Sequence, residues 1–392
     1  MLTLDEITFL TSPQGRETLA ALATEDLSDS RTLALLTRLR RSLTGTEAGA
    51  ALEQARLRQK AAEKFGADAE RMLFTRPALE QASHPLVRRY RAARFAGLCV
   101  VDACCGIGSD ALALAAAGAQ VTGLDLDEVR VALARHNAAV CGLSAQFEVG
   151  DVTGDLPPAE AVFFDPARRD AQGNRIHHVE RYQPPLAALH GWSQPLVAAK
   201  LSPGVDLEQI ESYGGGVEFI SVAGDLKEAL LWRGAGWEGR RAVLLEGDSA
   251  HVWTREGAEP PALLDVPRHW LIEPDPALLR AGLVRDAAAA WGAAFLDDTI
   301  AYLTADQPPQ TAWARSWRIL AALPFNVKQL RALLRESDVG TVTVKKRGSP
   351  ITPETLIPQL KLKGTQSRTV VLCRLRGQPY TLVCEEQPTA RG

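Results

Sequence analysis

With 392 residues, 46% of them hydrophobic and 23% charged, the chain has room for two or three domains and a large core. A formal net charge of −3 leaves no global basic field to draw in nucleic acid, so any such contact must come from local patches. The six cysteines form no CxxC pair, which argues against zinc or another metal, and no signal peptide or membrane-length apolar run is present, so a cytoplasmic chain with no membrane partner is expected.

Residues 1–95 read as a helical segment. Apolar residues recur at helical spacing in 5–10, 18–23 and 32–39. A longer helix over 48–65 carries Arg56, Arg58, Lys60 and Lys64 on a basic face, more often a solvated face than a nucleic-acid surface, and Gly66 ends it. Pro77 suits a first helical position, which predicts one helix over 77–95 leading into the first strand. That ties the segment to the mouth of a pocket there. Thr75, Gln81 and Ser83 then either touch a cofactor's amino-acid end or cap and bridge helices.

The stretch 98–125 organises the rest. Leu98–Val101 is an apolar run that reads as a buried parallel strand; a turn at Gly106 and Gly108 follows. An alanine-rich helix over 110–117 stops at Gly118, and a second strand over 120–124 ends in Asp125. This is the nucleotide end of a doubly wound sheet. Gly106-x-Gly108-x-x-Ala111 with Asp125 beyond it fits a dinucleotide or S-adenosylmethionine. Asp102 discriminates between them: a carboxylate before the glycines repels a pyrophosphate and attracts the ammonium of S-adenosylmethionine. The plainer alternative is that Asp102 caps backbone groups of the turn.

A helix over 128–140, a third strand over 145–149 and then Gly150-Asp151 follow. Asp151 is placed either to accept an adenine amino group or to cap a turn. The run 161–164 is a buried strand ending in Asp165-Pro166-Ala167-Arg168-Arg169. Asp165 falls at the crevice edge of an open sheet, and Pro166 fixes the backbone so that the carbonyl following it points into the pocket rather than into a ladder. Acid and carbonyl together can hold an amine's hydrogens; otherwise Asp165 satisfies turn amides. A fifth strand over 196–201 carries Lys200, a sixth covers 217–222, and a seventh over 241–245 is joined through a hairpin at 234–236. That is a seven-stranded methyltransferase order rather than a six-stranded dinucleotide one.

From 251 the composition shifts to tryptophan and proline. Residues 274–292 contain a helix, 326–336 another with Asn326 as its cap, and 341–345 alternate as a strand closed by Lys346-Arg347-Gly348. A helix begins at Pro353, and 369–375 with 380–384 form a hairpin. Lys345, Lys346, Arg347, Lys361, Lys363 and Arg368 are either a phosphate-binding patch or a solvated sheet edge. The expected division is a helical segment 1–95, a methyltransferase domain 96–250 and an α/β domain 251–392.

Val-Val-Asp102-Ala-Cys-Cys-Gly106-Ile-Gly108, Gly-Leu-Asp125-Leu-Asp127 and Phe-Phe-Asp165-Pro166-Ala-Arg168-Arg169 resemble bacterial class I S-adenosylmethionine-dependent methyltransferases with a THUMP-like C-terminal domain. Arg58-Gln-Lys-Ala-Ala-Glu-Lys-Phe, Ile272-Glu273-Pro274-Asp275, Leu323-Pro324-Phe325-Asn326 and Val344-Lys345-Lys346-Arg347-Gly348 extend the likeness over most of the chain. The core is also similar to trimethylguanosine synthases, which methylate an exocyclic amine of a guanine cap. The resemblance implies an α/β, seven-stranded Rossmann-like fold, S-adenosylmethionine as cofactor and RNA as partner. It implies Asp102, Gly106 and Gly108, with Thr75, around the methionine moiety. Asp125 would bind the ribose hydroxyls and Asp151 the adenine, Leu126 and Val152 would also bind cofactor, and Asp165 and Pro166 would hold the acceptor, with Arg168 a third catalytic residue. Ala167 and Arg168 depart from the usual second proline and stacking aromatic, though a guanidinium plane can stack on a base or grip a phosphate.

The first expectation is therefore direct displacement of the sulfonium methyl onto an RNA nucleobase. Arg168, Arg169 and Lys200 would neutralise substrate phosphates, and Cys104 and Cys105 would be packing residues rather than nucleophiles. The competing expectations are methylation of a protein or small molecule, a nicotinamide-dependent oxidoreductase, and a scaffold that binds cofactor without methylating.

Overall fold

The computed structural model describes residues 2–170 and 172–386. Its first helices are α1 (Leu4–Thr11), α2 (Pro13–Ala23), α3 (Thr32–Leu39) and α4 (Gly45–Phe65). α1 and α4 start in capping boxes, Thr3 with Glu6 and Thr44 with Glu47, which satisfy orphan amides in both directions. The basic face of α4 is turned to internal use. Arg56 donates to the carbonyls of Leu27 and Ser28, Arg58 to those of Met72 and Arg71, and Lys64 to those of Leu79, Glu80 and Ala82. The helix expected over 77–95 is broken into α5 (Arg76–Gln81), α6 (Pro85–Ala92) and a 3-10 turn (Ala93–Phe95). The break lies before Pro85, which has no amide to give and holds His84 extended at ψ 138.

The large sheet contains β1 (Cys99–Ala103), β2 (Gln120–Asp125), β3 (Ala145–Val149), β4 (Ala161–Phe164), β5 (Leu196–Leu201), β6 (Gly216–Val222), β7 (Asp225–Arg233), β8 (Gly239–Glu246) and β9 (Ser249–Thr254). α7 (Ser109–Ala116) joins β1 to β2, and α8 (Glu128–Val140) joins β2 to β3. The order is β3-β2-β1-β4-β5-β7-β6-β8-β9. β1 through β5 pair in parallel, and β7 runs antiparallel to β5. Every residue of β4 is buried, as a continuous apolar run in a two-sided parallel sheet requires. The expected seven-stranded order is present and two strands longer. β7 is the strand the sequence reading passed over; residues 241–245 belong to the eighth strand, and the tight turn is Ala223-Gly224, both at positive φ, rather than 234–236.

The remaining elements are β10 (Trp270–Pro274), α9 (Pro276–Ala281), α10 (Val284–Ala290), β11 (Ala294–Asp297), β12 (Ile300–Ala305) and β13 (Ala314–Pro324). Then come α11 (Val327–Glu336), β14 (Val339–Lys346), α12 (Pro353–Leu360), β15 (Gln366–Leu375) and β16 (Gln378–Glu386). Their sheet is ordered β11-β12-β10-β13-β16-β15-β14. The single helix expected within 274–292 is two, parted at Gly282, which adopts the left-handed C-cap conformation. Alternation along β15 builds two cores. Val371 packs with Leu271, Trp317 and Leu382, while Val370 packs with Leu330 and Leu334 of α11 and Leu356 and Leu360 of α12.

Contacts divide the chain into two compact units. One comprises Met1–Glu218, Lys227–Gly239 and Gly247–Ser249; the other comprises Phe219–Leu226, Arg240–Glu246 and Ala250–Gly392. Among the described residues no helix is long and apolar enough to cross a membrane.

Candidate active site

The turn after β1 is built from left-handed backbone: Cys104 at φ 68, Gly106 at 55 and Gly108 at 84. Only glycine serves at 108, where an added Cβ would lie 3.2 Å from that of Ala134 on α8. At Gly106 an added Cβ would meet nothing within 4 Å, so this side of the turn is open. The turn is pinned by Cys105 N to Leu124 O at 2.8 Å and by Gly106 N to Asp125 Oδ2 at 2.9 Å.

Asp102 lies within β1 with 0% exposure, and neither carboxylate oxygen has a hydrogen-bond partner among the described residues. Burial, aided by the charge of Asp165, pushes its carboxyl up to about 7. The charge of Arg91 and the Ala111 amide favour its ionised form only in part, so this buried carboxylate is costly and a further cation would offset it. The methionine end of S-adenosylmethionine brings an ammonium group; a pyrophosphate would bring more negative charge. The residues present therefore fit the sulfonium cofactor. When bound, it supplies an electrophilic methyl group on a good leaving group.

Asp125, at the end of β2, also accepts from the Asp127 amide at 3.0 Å, and Leu126 beside it stands 69% exposed. Asp151 is exposed and accepts from the amide and hydroxyl of Thr153 at 2.8 and 2.7 Å, bonds that hold its carboxyl below the usual range. Its turn-capping role is thus present. Val152 is buried, and its carbonyl accepts from the Trp192 indole at 3.2 Å. Thr75 caps α5, accepting from the Ala78 amide at 3.4 Å.

Asp165 follows β4, and its amide donates to Ala103 O at 3.3 Å, which sets it beside the end of β1. Its Oδ2 accepts from Lys200 Nζ at 2.6 Å, and Arg168 Nη2 stands 3.7 Å from its Oδ1. Lys200 is buried and also lies 4.0 Å from Glu228 on β7. Glu228 accepts from Ser83 Oγ at 2.7 Å and is paired with Arg91 of α6. Arg91 in turn pairs with Asp110 in the first turn of α7. Charges alternate along this buried row from the Asp165 loop to the helix after the glycine turn. Burial lowers the Lys200 ammonium below its ordinary value, against the pull of Asp165 and Glu228. Burial would raise Glu228, but Arg91 and Lys200 outweigh it and hold the carboxyl low.

Several expectations need correcting here. Lys200 is an internal partner of Asp165, not a surface cation for substrate phosphates. The carbonyl of Ala167 does not face a pocket; it accepts from the Gln183 amide in a short antiparallel bridge. Pro166 is buried, and Arg168 donates to Leu201 O at 2.9 Å, so its guanidinium is anchored along β5. Arg169 is exposed and donates to Gly173 O. The partners Ser83, Arg91, Asp110 and Glu228 were not foreseen as a set, because Glu228 sits on the unrecognised strand. Burial pushes the thiols of Cys104 and Cys105 well up, in keeping with packing roles. No group of three or more His, Cys, Asp or Glu among the described residues could hold a metal ion.

In the second unit, Lys345 Nζ lies 2.6 Å and Arg347 Nη2 3.3 Å from the two oxygens of Glu273, while Lys346 is exposed. The expected patch is therefore not a row of free cations.

The sheet order β3-β2-β1-β4-β5-β7-β6, with acids at the ends of β1, β2 and β4, defines a class I methyltransferase fold. A methyltransferase-domain model matches residues 100–182, a THUMP domain-like model 314–386, and a domain of unknown function 3–61. An uncharacterized S-adenosylmethionine-dependent methyltransferase of Mycobacterium tuberculosis is 36% identical over 349 residues, 86% of this chain and 95% of that protein. An uncharacterized RNA methyltransferase of Parasynechococcus marenigrum is 38% identical over 95 residues, 23% of this chain and 20% of that protein. A crystal structure from Porphyromonas gingivalis, assigned as a methyltransferase, superposes with a TM-score of 0.77 at 20% identity over 99% of this chain and all of that one. The chain belongs to the S-adenosylmethionine-dependent methyltransferases and is an enzyme of that class.

Proposed function

We propose that the protein methylates a nucleobase of RNA. The observation that carries this is the distribution of charge. Residues 314–386 hold thirteen Lys and Arg against five Asp and Glu, a formal +8, in a chain whose total is −3. The rest of the sequence is accordingly at −11. A basic segment inside an acidic chain is suited to phosphates, and partial relatives named as RNA methyltransferases support the same substrate.

In this reading Asp102, Gly106, Gly108 and Thr75 hold the methionine end, Asp125 and Leu126 the ribose, and Asp151 and Val152 the adenine. Asp102 gains the cation its burial lacks. Asp165, with Pro166 and Arg168, orients the acceptor. Because Lys200 holds one oxygen of Asp165 and Arg168 stands near the other, Asp165 acts as a fixed anionic hydrogen-bond acceptor. Positioning of the nucleophile against the sulfonium methyl then supplies most of the rate. Arg169, Lys345, Lys346 and Arg347 contribute phosphate contacts. The working division remains 1–95, 96–250 and 251–392.

The test is mass spectrometry of nucleosides in total RNA from cells with and without the gene. Loss of one methylated nucleoside in the deletion is expected; an unchanged set of nucleosides removes the RNA acceptor. One observation favours a second reading, methylation of a protein or small molecule: two cations of the patch, Lys345 and Arg347, are already neutralised by Glu273. In that case RNA binding would be weak and indifferent to salt.

A further inference from the structure

Two sequence motifs far apart in the chain meet in the second unit. β10 ends in Glu273-Pro274, followed by Asp275, and β14 ends in Lys345-Lys346, followed by Arg347. Glu273, Pro274, Asp275, Lys345 and Arg347, with Trp313 and Arg315, line a cavity of about 260 Å³. Lys345 reaches Glu273 Oε2 and Arg347 reaches Oε1, so each cation grips a separate oxygen of one carboxylate. Both cations are also fixed from behind. Lys345 Nζ stands 4.4 Å from the centroid of the Trp317 ring, and Arg347 Cζ stands 5.2 Å from that of Tyr302.

We propose that this cavity is a phosphate-binding site whose anion position is occupied by Glu273, and that an RNA phosphate displaces that carboxylate. Two oxygens of a phosphodiester present the same charge and nearly the same spacing as a carboxylate, so the exchange leaves neither cation unpaired; the displaced Glu273 carboxylate, 17% exposed, must be rehydrated, and that cost opposes the ligand. The cations are held in place by the rings, so little side-chain entropy remains to be lost on binding. Arg315 adds a third cation to the lining; its Nη2 donates to Ala223 O at 2.9 Å. The other acids of the cavity oppose an anion weakly. Asp275 is spent on capping α9, and burial pushes its carboxyl up, toward the neutral form. Glu246 is partly exposed, so solvent screens its charge. Glu273 thus sets the affinity of the site by competing with its ligand. The RNA form of the ligand rests on the function proposed above; the phosphate site itself does not.

The experiment uses the full chain as wild type, Glu273→Gln, Lys345→Met and the double variant. Glu336→Gln serves as a control for removing an exposed acid outside the cavity. Binding of a ten-nucleotide single-stranded RNA is followed by anisotropy against salt, and binding of inorganic phosphate by calorimetry. Glu273→Gln should bind RNA at least fivefold more tightly, with a slope of log K on log salt steeper by about 0.7 to 1.4, as one or two cations become free. Lys345→Met should weaken binding, the double variant should cancel the gain, and Glu336→Gln should match wild type. Tightened binding of RNA alone assigns the site to a nucleic-acid backbone; tightened binding of inorganic phosphate as well assigns it to small anions. If a folded Glu273→Gln binds neither ligand more tightly, the proposal is overturned, even if the nucleoside experiment finds an RNA product. A gain in phosphate binding without any nucleoside change would sink the RNA methylation reading and leave the site standing.

Discussion

The lone carboxylate of Asp102 makes cofactor binding depend on protons near neutrality. In the free protein its carboxyl is pushed from 3.8 up to about 7, mainly by burial. Asp165 and Asp125 add to the rise, and Arg91 opposes it. A ligand ammonium stabilises the ionised form, so below about pH 7 binding must expel a proton. The affinity for S-adenosylhomocysteine should then fall about tenfold per pH unit below that point. At higher pH, where the ligand's own α-amino group loses its proton, affinity should fall again. Stability follows the same carboxyl with a definite sign. A raised folded pKa means that the free protein binds this proton more tightly than the unfolded chain does. Stability from this group is therefore lost as pH rises from about 4 through about 7, by something on the order of 4 kcal/mol, about three units at 1.36 kcal/mol each. Asp102→Asn should abolish that loss, melting higher than wild type at pH 8, while its affinity for S-adenosylhomocysteine drops at least a hundredfold. Calorimetry in buffers of different ionisation enthalpy measures the proton release directly, and thermal melts at pH 5 and 8 measure the stability. Constant affinity between pH 5.5 and 7 with no released proton, or an Asn variant that binds normally, would refute the reasoning.

Gly108→Ala forces a side chain into left-handed backbone and against Ala134; it should cost about 1 to 3 kcal/mol, read as a lower urea midpoint. Wild-type stability would show that the turn can relax. Lys200→Met leaves the buried Glu228 and Asp165 short of a cation and should cost about 3 to 5 kcal/mol, with Lys200→Arg recovering part. A melt within 1 kcal/mol of wild type would mean that the row of charges is not coupled. Asp125→Ala removes the acceptor of the Gly106 and Asp127 amides as well as the proposed ribose contact. It should weaken S-adenosylhomocysteine binding by tenfold or more in equilibrium titration, and undiminished binding would remove Asp125 from the site.

Local pattern made the first half of the sheet legible. The helix at 128–140 and the strands at 145–149, 161–164 and 196–201 sit where their apolar runs and flanking turn residues put them. β7 was not legible. It opens Asp225-Leu-Lys-Glu, a polar start that no pattern of apolar residues would assign to a central strand. Glu228 is tolerated there because Arg91 and Lys200, from two other elements, neutralise it. Likewise, β10 to β13 lie among tryptophans and prolines that read as a change of composition rather than as strands.

By itself the sequence determined the cofactor chemistry, because an acid before paired glycines at the end of an apolar run is a short-range arrangement that the backbone must realise locally. What only the tertiary structure decided is how the charges are paired. Lys200 and Asp165 are 35 residues apart, Arg91 and Glu228 137, and Lys345 and Glu273 72. A lysine's role depends on which carboxylate the fold brings within hydrogen-bonding reach, and on how much water is excluded there. Neither quantity is written in its neighbours along the chain.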